Sequence, residues 1–237
     1  MSAPIDLGSA NPASWLDTYA IGDCRVLMPV MPAAIGDAAI CDPPYGDTSL
    51  EWDSRCEGWI EPLARVLKPN ASIWVFGSMR FLAPLFAEME AAGFKYSQDI
   101  VWEKQNGSGF SNDRFRRVHE HAALFYRGAW ADVYKAPQYT NDATAKTVRH
   151  KSRPPHMGSI DRYSDYASED GGPRLQTSVI FCANEHGKAV HPTQKPLGIL
   201  APLISYSVPP GGVVIDPFLG SGSTALAARM LGRHWIG

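Results

Sequence analysis

The chain lacks several features that would assign it to common protein classes. It has no apolar run near the roughly 20 residues that a membrane-spanning helix needs, and no basic-then-apolar signal pattern at its N-terminus. Its four cysteines include no CxxC pair, which argues against a zinc site or a redox pair. Charged residues make up 19% of the chain and hydrophobic residues 45%, as in ordinary globular domains. We therefore expect a globular, cytoplasmic protein with reduced cysteines, no bound metal and no membrane partner.

Two nucleotide-binding signatures are also missing. There is no GKS or GKT, which excludes a P-loop, and no GxGxxG, which excludes a dinucleotide fingerprint. A different glycine-rich segment, Asp-Pro-Phe-Leu-Gly-Ser-Gly-Ser-Thr at 216–224, joins an apolar run to a helical pattern. Ligands of open α/β sheets bind at such strand ends, and glycines let backbone N–H groups approach a ligand closely. The segment predicts a ligand-binding loop, with a tight turn that binds nothing as the alternative.

Apolar runs alternate with segments of helical periodicity along much of the chain. The predicted strands cover residues 38–41, 72–76, 97–102, 122–126, 212–216 and 234–236. The predicted helices cover residues 59–67, 81–92, 196–205 and 224–231. This alternation predicts an α/β fold with a parallel, doubly wound sheet.

The alternating pattern breaks down between about residues 128 and 185. Because a structureless connection of that length is unusual in a compact domain, we predict an inserted module at 129–185. Residues 1–128 and 186–237 then form the main domain. The whole chain has a net charge of −2, yet residues 101–160 hold ten basic and five acidic side chains. This local excess favours a phosphate-binding face, and a solvated loop surface explains it equally well.

A second polar turn, Asp42-Pro43-Pro44-Tyr45, follows the predicted strand at 38–41. The exocyclic amine of a nucleobase is a poor nucleophile because its lone pair is delocalised into the ring. Two acceptors on its N–H bonds can free that lone pair, and Asp42 with the Pro43 carbonyl could be those acceptors. Tyr45 could stack on a base drawn out of a helix, while the two prolines fix the backbone. The alternative is a surface turn, since Asp-Pro turns are common.

In combination, the two turns resemble those of the amino-methyltransferases of DNA, adenine-N6 and cytosine-N4. The order is that of the permuted beta group, in which the tetrapeptide precedes the cofactor loop and target recognition lies between them. His-Pro-Thr-Gln-Lys-Pro at 191–196 resembles a specific family segment, and Gly22-Asp23 resembles the family's GD segment. Residues 66–76, residues 101–106 and the pair His119-Glu120 also match. The resemblance covers about residues 19–127 and 188–237.

The resemblance implies a Rossmann-like, mostly parallel sheet with one reversed strand, and S-adenosylmethionine as the cofactor. The methyl group would pass directly from sulfonium to amine after base flipping, with no covalent enzyme intermediate and no metal. The family's acidic residue for the ribose hydroxyls is expected just after Gly237, where the given sequence stops. The implied cofactor-binding residues are Asp23, Cys24, Asp42, His191, Thr193, Lys195, Asp216, Phe218, Gly220, Ser221, Gly222 and Thr224.

The resemblance also implies duplex DNA as the substrate. Methylation of cytosine C5 needs a cysteine nucleophile after a proline, and none of the four cysteines follows one. An Asp at position 42 is commoner in adenine-N6 enzymes, so adenine is favoured over the N4 amine of cytosine. A catalytically idle DNA-binding relative, or methylation of RNA or of a protein glutamine, stays open. The predicted DNA-binding residues are Lys104, Arg114, Arg116, Arg117, Lys146, Arg149, Lys151 and Arg153.

Relatives in this family often form homodimers, which makes a homodimer a candidate assembly. A cognate restriction endonuclease is a candidate partner. The expected location is the cytoplasm of a prokaryotic or phage-infected cell. Base readout depends on side-chain geometry, so we expect the inserted module to determine the recognition sequence.

Overall fold

The computed structural model describes residues 11–46, 51, 53–108, 112–148, 166–183 and 194–237. Its contacts divide the chain into two units, one of residues 1–136 with 178–237 and one of residues 137–177. No helix among the described residues is long and apolar enough to cross a membrane.

The strands and helices follow the apolar segments of the sequence. The strands are β1 (Gly36–Cys41), β2 (Leu67–Gly77), β3 (Lys95–Ser108), β4 (Arg117–Tyr126), β5 (Tyr139–Thr140), β6 (Lys146–Val148), β7 (Tyr166–Ser168), β8 (Arg174–Leu175), β9 (Val179–Phe181), β10 (Val213–Ile215) and β11 (His234–Ile236). The α-helices are α1 (Cys24–Leu27), α2 (Ile60–Val66), α3 (Met79–Ala91), α4 (Leu197–Ser207) and α5 (Ser223–Met230). All six predicted strands and all four predicted helices are present, with ends shifted by a few residues.

The larger unit is built on one seven-stranded sheet. Its strand order is β11-β10-β1-β2-β4-β3-β9. All neighbouring pairs are parallel except the two that involve β4, which is antiparallel to β2 and β3. The Rossmann-like fold with one reversed strand, predicted from the resemblance, is therefore confirmed.

Alternating side chains of the central strands fill two separate cores, one on each face of the sheet. Ala39 and Cys41 of β1 belong to the first core, which contains buried side chains of α2 and α3. Ala38 and Ile40 belong to the second, which contains buried side chains of α4 and α5. Helices on both faces explain why β1 reads as an unbroken apolar run rather than an alternating one.

Strands β3 and β4 are longer than the sequence predicts. Their hairpin continues from the pair Trp102 and Glu120 to the pair Ser108 and Arg117, whereas β2 ends where Gly77 pairs with His121. The hairpin therefore extends beyond the carboxyl end of β2. Apart from Val118, its outer part consists of polar residues and Gly107, so it carries no hydrophobic periodicity that could predict a strand.

The smaller unit, residues 137–177, contains two antiparallel strand pairs, β5 with β8 and β6 with β7. Two aspartates stabilise this unit. Asp142 forms an ion pair with Arg174 at 2.7 Å, and Asp170 accepts a hydrogen bond from the Ala145 N–H at 2.6 Å. This unit is shorter at both ends than the inserted module predicted at 129–185.

Both ends of the predicted insertion belong to the larger unit. Strand β9 pairs with β3, and the Trp102 indole donates to the Cys182 carbonyl at 2.8 Å. At the other end, the Ala136 N–H donates to the Tyr206 carbonyl at 2.9 Å. The low periodicity of these short segments hid their place in the main fold.

Candidate active site

The two predicted loops lie at the same edge of the sheet. β1 and β10 are parallel neighbours, so Asp42 and Asp216, which follow them directly, lie at adjacent carboxyl ends. This is the position at which open α/β sheets bind their ligands. The fold therefore brings together two segments that are more than 170 residues apart in the sequence.

Three side chains form the centre of the site. The Tyr45 hydroxyl donates a short hydrogen bond to Asp42 Oδ1. Lys195 Nζ donates to Asp42 Oδ2 at 2.6 Å and to the Tyr45 oxygen at 3.3 Å. Burial, followed by the negative charge of Asp42, raises the pKa of Tyr45 well above its usual value, so the phenol stays protonated. Each oxygen of the Asp42 carboxylate thus has one protein donor.

Glu120 and Lys104 extend this centre into a buried network of four charges. Lys195 Nζ lies 3.5 Å from Glu120 Oε2, and Lys104 Nζ forms a short ion pair with Glu120 Oε1. Two carboxylates and two ammonium groups balance each other there. The rings of Phe76 and Trp102 lie 5.2 and 6.0 Å from Lys195 Nζ.

The pKa values in this network follow from its charges. Burial alone would lower the pKa of Lys195, but Asp42 and Glu120 outweigh it and raise that pKa. Burial alone would raise the pKa of Glu120, but Lys195 and Lys104 outweigh it and lower that pKa. Lys195 and Glu120 are therefore both ionised at neutral pH.

Asp53 holds the backbone of the turn that carries Tyr45. Its Oδ1 accepts hydrogen bonds from the N–H groups of Tyr45 and Gly46, both at 2.9 Å. These are the first N–H groups after the two prolines, which have none to offer. The ring of Tyr45 lies 5.2 Å from that of Phe81, and the Arg55 guanidinium lies 5.4 Å from the same Phe81 ring.

The glycine-rich loop connects β10 to α5. The Phe218 N–H donates to Asp216 Oδ1 at 2.9 Å, and the Phe218 ring lies edge-on to Trp59 at 5.5 Å. Gly220 and Gly222 have φ values of 52° and 80°, a region that side chains with a Cβ rarely adopt. The loop therefore needs glycine at these positions to present its backbone at the start of α5.

Asp216 is a buried carboxyl group without a direct cationic partner in the part of the chain that the structure describes. Burial, opposed by hydrogen bonds from Thr224 and the Phe218 N–H, raises the pKa of Asp216 to about 7. The negative charge of Asp42 adds to this increase. Close to neutral pH, Asp216 is thus divided between its protonated and ionised forms.

A cleft of about 410 Å³, counting the solvent at its mouth, opens beside this loop. Its walls include Trp15, Gly22, Cys24, Asp216, Pro217 and Gly237. The N-terminal wall is joined to the edge of the sheet, since the Asp17 N–H donates to the Trp235 carbonyl at 2.8 Å and the Ala20 N–H donates to the Gly237 carbonyl at 2.9 Å. Asp23 caps α1 and pairs with Arg25 at 2.6 Å, which lowers the pKa of Asp23 to about 2.

The structure thus gathers many, but not all, of the predicted site residues. Lys195 joins Asp42 and Tyr45, while Cys24 and Asp216 share the cleft. His191 and Thr193 lie outside the described residues, as do Arg149, Lys151 and Arg153.

The remaining predicted DNA-binding residues divide into two groups. Lys104 is only 13% exposed, and its ammonium is committed to Glu120, which argues against a phosphate contact. Arg114, Arg116, Arg117 and Lys146 are exposed, and Arg114 pairs with Asp113 at 2.7 Å. Among the described residues, no group of three His, Cys, Asp or Glu side chains could hold a metal ion.

The sequence reasoning missed Asp53 as a site residue and left Glu120 without a role. Neither belongs to a motif whose chemistry is recognisable by spacing. A carboxylate eight residues after Tyr45 is unremarkable until the chain folds back on itself. For Glu120 the available signals were the family match of the pair His119-Glu120 and a single charge at the start of an apolar strand, and neither indicates which groups it contacts.

The raised pKa of Asp216 predicts how stability depends on pH. The unfolded carboxyl has a pKa near 3.8 and the folded one about 7, so folding takes up a proton between these values. This contribution to the free energy of unfolding is complete below about pH 4 and is lost as the pH rises through about 7. Urea unfolding from pH 4 to pH 8 should therefore show a smaller loss of stability in Asp216→Asn, which cannot titrate, than in the wild type. Parallel curves for the two proteins would contradict the raised pKa.

Comparison with known proteins finds similarity over most of the chain. The DNA methylase family of N6 and N4 methyltransferases matches residues 37–237. The chain is 30% identical to the Type II methyltransferase M.HinfI of Haemophilus influenzae, over 96% of this chain and 66% of that protein. It is 28% identical to the Type II methyltransferase M2.DpnII of Streptococcus pneumoniae, over 76% of this chain and 59% of that protein. The chain thus spans about three fifths to two thirds of the length of these curated relatives.

Solved structures agree on the fold. The M1.HpyAVI–SAM complex superposes with a TM-score of 0.61 and 24% identity, covering 92% of this chain and 91% of that one. The cytosine-N4-specific PvuII DNA methyltransferase superposes with a TM-score of 0.61 and 17% identity, covering 92% and 80%. The family match extends over most of the sequence, from β1 to the last residue. The chain belongs to the N6/N4 DNA methylase family.

Proposed function

We propose that this protein is a DNA methyltransferase that moves a methyl group from S-adenosylmethionine to the N6 amine of adenine in duplex DNA. The observation that carries the proposal is the adjacency of the Asp42–Tyr45 turn and the Asp216 loop at one edge of the sheet. Membership of the N6/N4 DNA methylase family and the names of its Type II relatives support it.

The cleft fits a cofactor of this kind. Asp216 and Pro217 of the glycine-rich loop line the cleft, and the loop leads to the start of α5, where N–H groups favour polar or anionic groups. Trp15 and Cys24 give apolar walls, and Asp216 gives a buried polar group. Bound S-adenosylmethionine would supply an activated methyl group on a sulfonium centre. The cleft residues that would hold it include Trp15, Gly22, Cys24 and Asp216. The family resemblance adds Gly220 and Lys195.

Asp42, Pro43 and Tyr45 would prepare the amine for attack. Asp42 and the Pro43 carbonyl accept hydrogen bonds from its two N–H groups. This reduces the delocalisation of the nitrogen lone pair into the ring. In the substrate-free structure the Tyr45 hydroxyl donates to Asp42 Oδ1, so an entering amine competes for that oxygen. Lys195 already donates to the Tyr45 oxygen, and it can hold this hydroxyl as Asp42 turns to the amine. The Tyr45 ring, backed by Phe81, offers the stacking surface for the extruded base.

The β3–β4 hairpin and the smaller unit are the parts that would contact DNA. The described end of the hairpin carries Arg114, Phe115 and Arg116, all exposed, beyond the carboxyl end of β2. In the smaller unit, Lys146 is exposed on β6, and the sequence continues with Arg149, Lys151 and Arg153. We assign target recognition to the inserted region around residues 137–177, because sequence-specific reading needs a module that reaches a groove.

The cellular setting follows from the substrate. A DNA methyltransferase with Type II relatives works where the bacterial chromosome lies, in the cytoplasm, and a cognate restriction endonuclease and a homodimeric assembly belong to the same proposal. Light scattering of the purified chain tests the homodimer.

Removing the Asp42 carboxylate should remove turnover. Asp42→Ala takes away one of the two acceptors on the amine, so we expect kcat to fall about 100- to 1000-fold while cofactor affinity stays largely intact. The assay uses labelled S-adenosylmethionine and mixed-sequence duplex DNA, followed by digestion to nucleosides, with calorimetry for cofactor binding. Wild type should give N6-methyladenine. N4-methylcytosine in its place would contradict the assignment of adenine as the target base. If the wild type binds the cofactor but forms no methylated nucleoside, the proposed enzymatic activity is wrong.

Asp53 should matter through the backbone of the turn rather than through chemistry. Asp53→Ala removes the acceptor for the N–H groups of Tyr45 and Gly46, so we expect kcat to fall about tenfold with little change in cofactor affinity. Asp53→Asn keeps an oxygen at the same place and should recover most of the loss. Equal losses in Ala and Asn, measured by steady-state kinetics, would contradict this role.

The exposed arginines of the hairpin should contribute to the salt dependence of DNA binding. Each phosphate contact adds about 0.9 to the slope of log affinity against log salt. Replacing Arg114 and Arg116 by Ala should lower that slope by about one to two in fluorescence anisotropy titrations. Arg229→Ala, an exposed arginine on α5, serves as the control and should leave the slope unchanged. An unaltered slope in the hairpin variant would move the DNA-binding face elsewhere.

A further inference from the structure

Glu120 lies between the two buried ammonium groups of Lys104 and Lys195. The hydrogen bonds and ion pairs described for the site do not connect it directly to Asp42 or Tyr45. Its Oε1 forms the ion pair with Lys104 of β3, and its Oε2 lies 3.5 Å from Lys195. Its Oε2 is buried and has no hydrogen-bond partner among the residues that the structure describes. A buried carboxylate that serves only stability would be expected to satisfy both oxygens.

Lys195 has two carboxylates within ion-pair distance. It lies 2.6 Å from Asp42 and 3.5 Å from Glu120, and it is only 9% exposed. A buried ammonium with a single carboxylate would neutralise that carboxylate and weaken it as a hydrogen-bond acceptor. With a second carboxylate nearby, the positive charge is shared, and Asp42 keeps more of its negative charge for the amine.

We propose that Glu120 is a positioning residue for the methyl transfer reaction, which holds Lys195 in its charged form between two carboxylates so that Asp42 remains a strong acceptor. Lys104 has the opposite effect. Its ion pair with Glu120 Oε1 weakens the attraction of Glu120 for Lys195, so Lys195 stays paired with Asp42. This inference rests on the proposed function for its role in turnover. Its electrostatic part stands on the contacts alone.

The same arrangement connects the hairpin to the catalytic turn. Glu120 of β4 pairs with Trp102 of β3, and Lys104 lies two residues further along β3. At this point the hairpin begins to extend beyond β2. The ring of Trp102 lies 4.5 Å from Lys104 Nζ and 6.0 Å from Lys195 Nζ. The Lys104–Glu120 pair therefore lies where the hairpin extends past β2, next to the Lys195–Asp42 pair.

Removing the charge of Glu120 and removing the charge of Lys104 should shift the pKa of Lys195 in opposite directions. The groups that face Lys195 are Asp42 and Tyr45 after β1, Glu120 on β4 with Lys104 on β3 behind it, and Asp216 after β10. Glu120→Gln removes a negative charge and should lower the pKa of Lys195. Lys104→Met removes a positive charge and should raise it.

Nuclear magnetic resonance of protein labelled with 13Cε-lysine measures this directly without substrate or cofactor. The chain has eight lysines, and Lys195→Arg assigns the signal. The control is Asp37→Asn, which breaks another partly buried ion pair, with Lys68 at 2.7 Å, and should leave the Lys195 signal unchanged. Glu120→Asp keeps the charge and should give a smaller shift than Glu120→Gln.

Turnover gives the second reading. Glu120→Gln should lower kcat about 10- to 100-fold with a much smaller change in KM for the cofactor, and Glu120→Asp should recover part of it. An unchanged pKa of Lys195 in Glu120→Gln, or shifts of the same sign in Glu120→Gln and Lys104→Met, would overturn the proposal. An inactive wild type would overturn the proposed function instead, while the lysine titration would still decide the role of Glu120.

Discussion

Lys195 Nζ lies 2.6 Å from Asp42 Oδ2, and this ion pair joins parts of the chain that are 153 residues apart. Both partners are largely buried, so neither would be stable there alone, because an isolated buried charge is far more costly than a paired one. The pair holds the segment before α4, which carries Lys195, next to the end of β1, which Asp42 follows. It also places Lys195 within reach of Tyr45 and Glu120, and thereby links all the polar side chains at the centre of the site.

Two carboxyl groups that follow neighbouring parallel strands have acquired different properties in this fold. Asp42 has an ammonium and a phenol as direct donors, whereas Asp216 has a backbone N–H and the Thr224 side chain. Hydrogen bonds from neutral donors offset burial less than a cation does, which explains why the pKa of Asp216 rises to about 7. The fold thus places an ion-paired carboxyl group beside one whose hydrogen-bond donors are neutral, at adjacent strand ends.

The sequence was sufficient to predict the sheet and its two loops. Apolar runs such as 38–41 and 212–216 have the length and composition of buried strands, and the prolines that follow them, Pro43-Pro44 and Pro217, cannot continue a strand. The reversed strand and the place of Lys195 came from resemblance, because neither follows from local propensity. The roles of Glu120, Lys104 and Asp53 could not be predicted, since each depends on which residues meet after the chain has folded.

The corrected role of Lys104 shows why charge counts alone mislead. It contributes to the basic excess at residues 101–160, but its ammonium is buried over Trp102 and paired with Glu120. Desolvation makes such a group a poor phosphate ligand, because it would have to leave a carboxylate in order to bind another anion. Exposed arginines on the same hairpin carry no such penalty. The hairpin therefore has two electrostatic regions, an inner one in which Lys104 and Glu120 are paired and largely buried, and an outer one with exposed arginines.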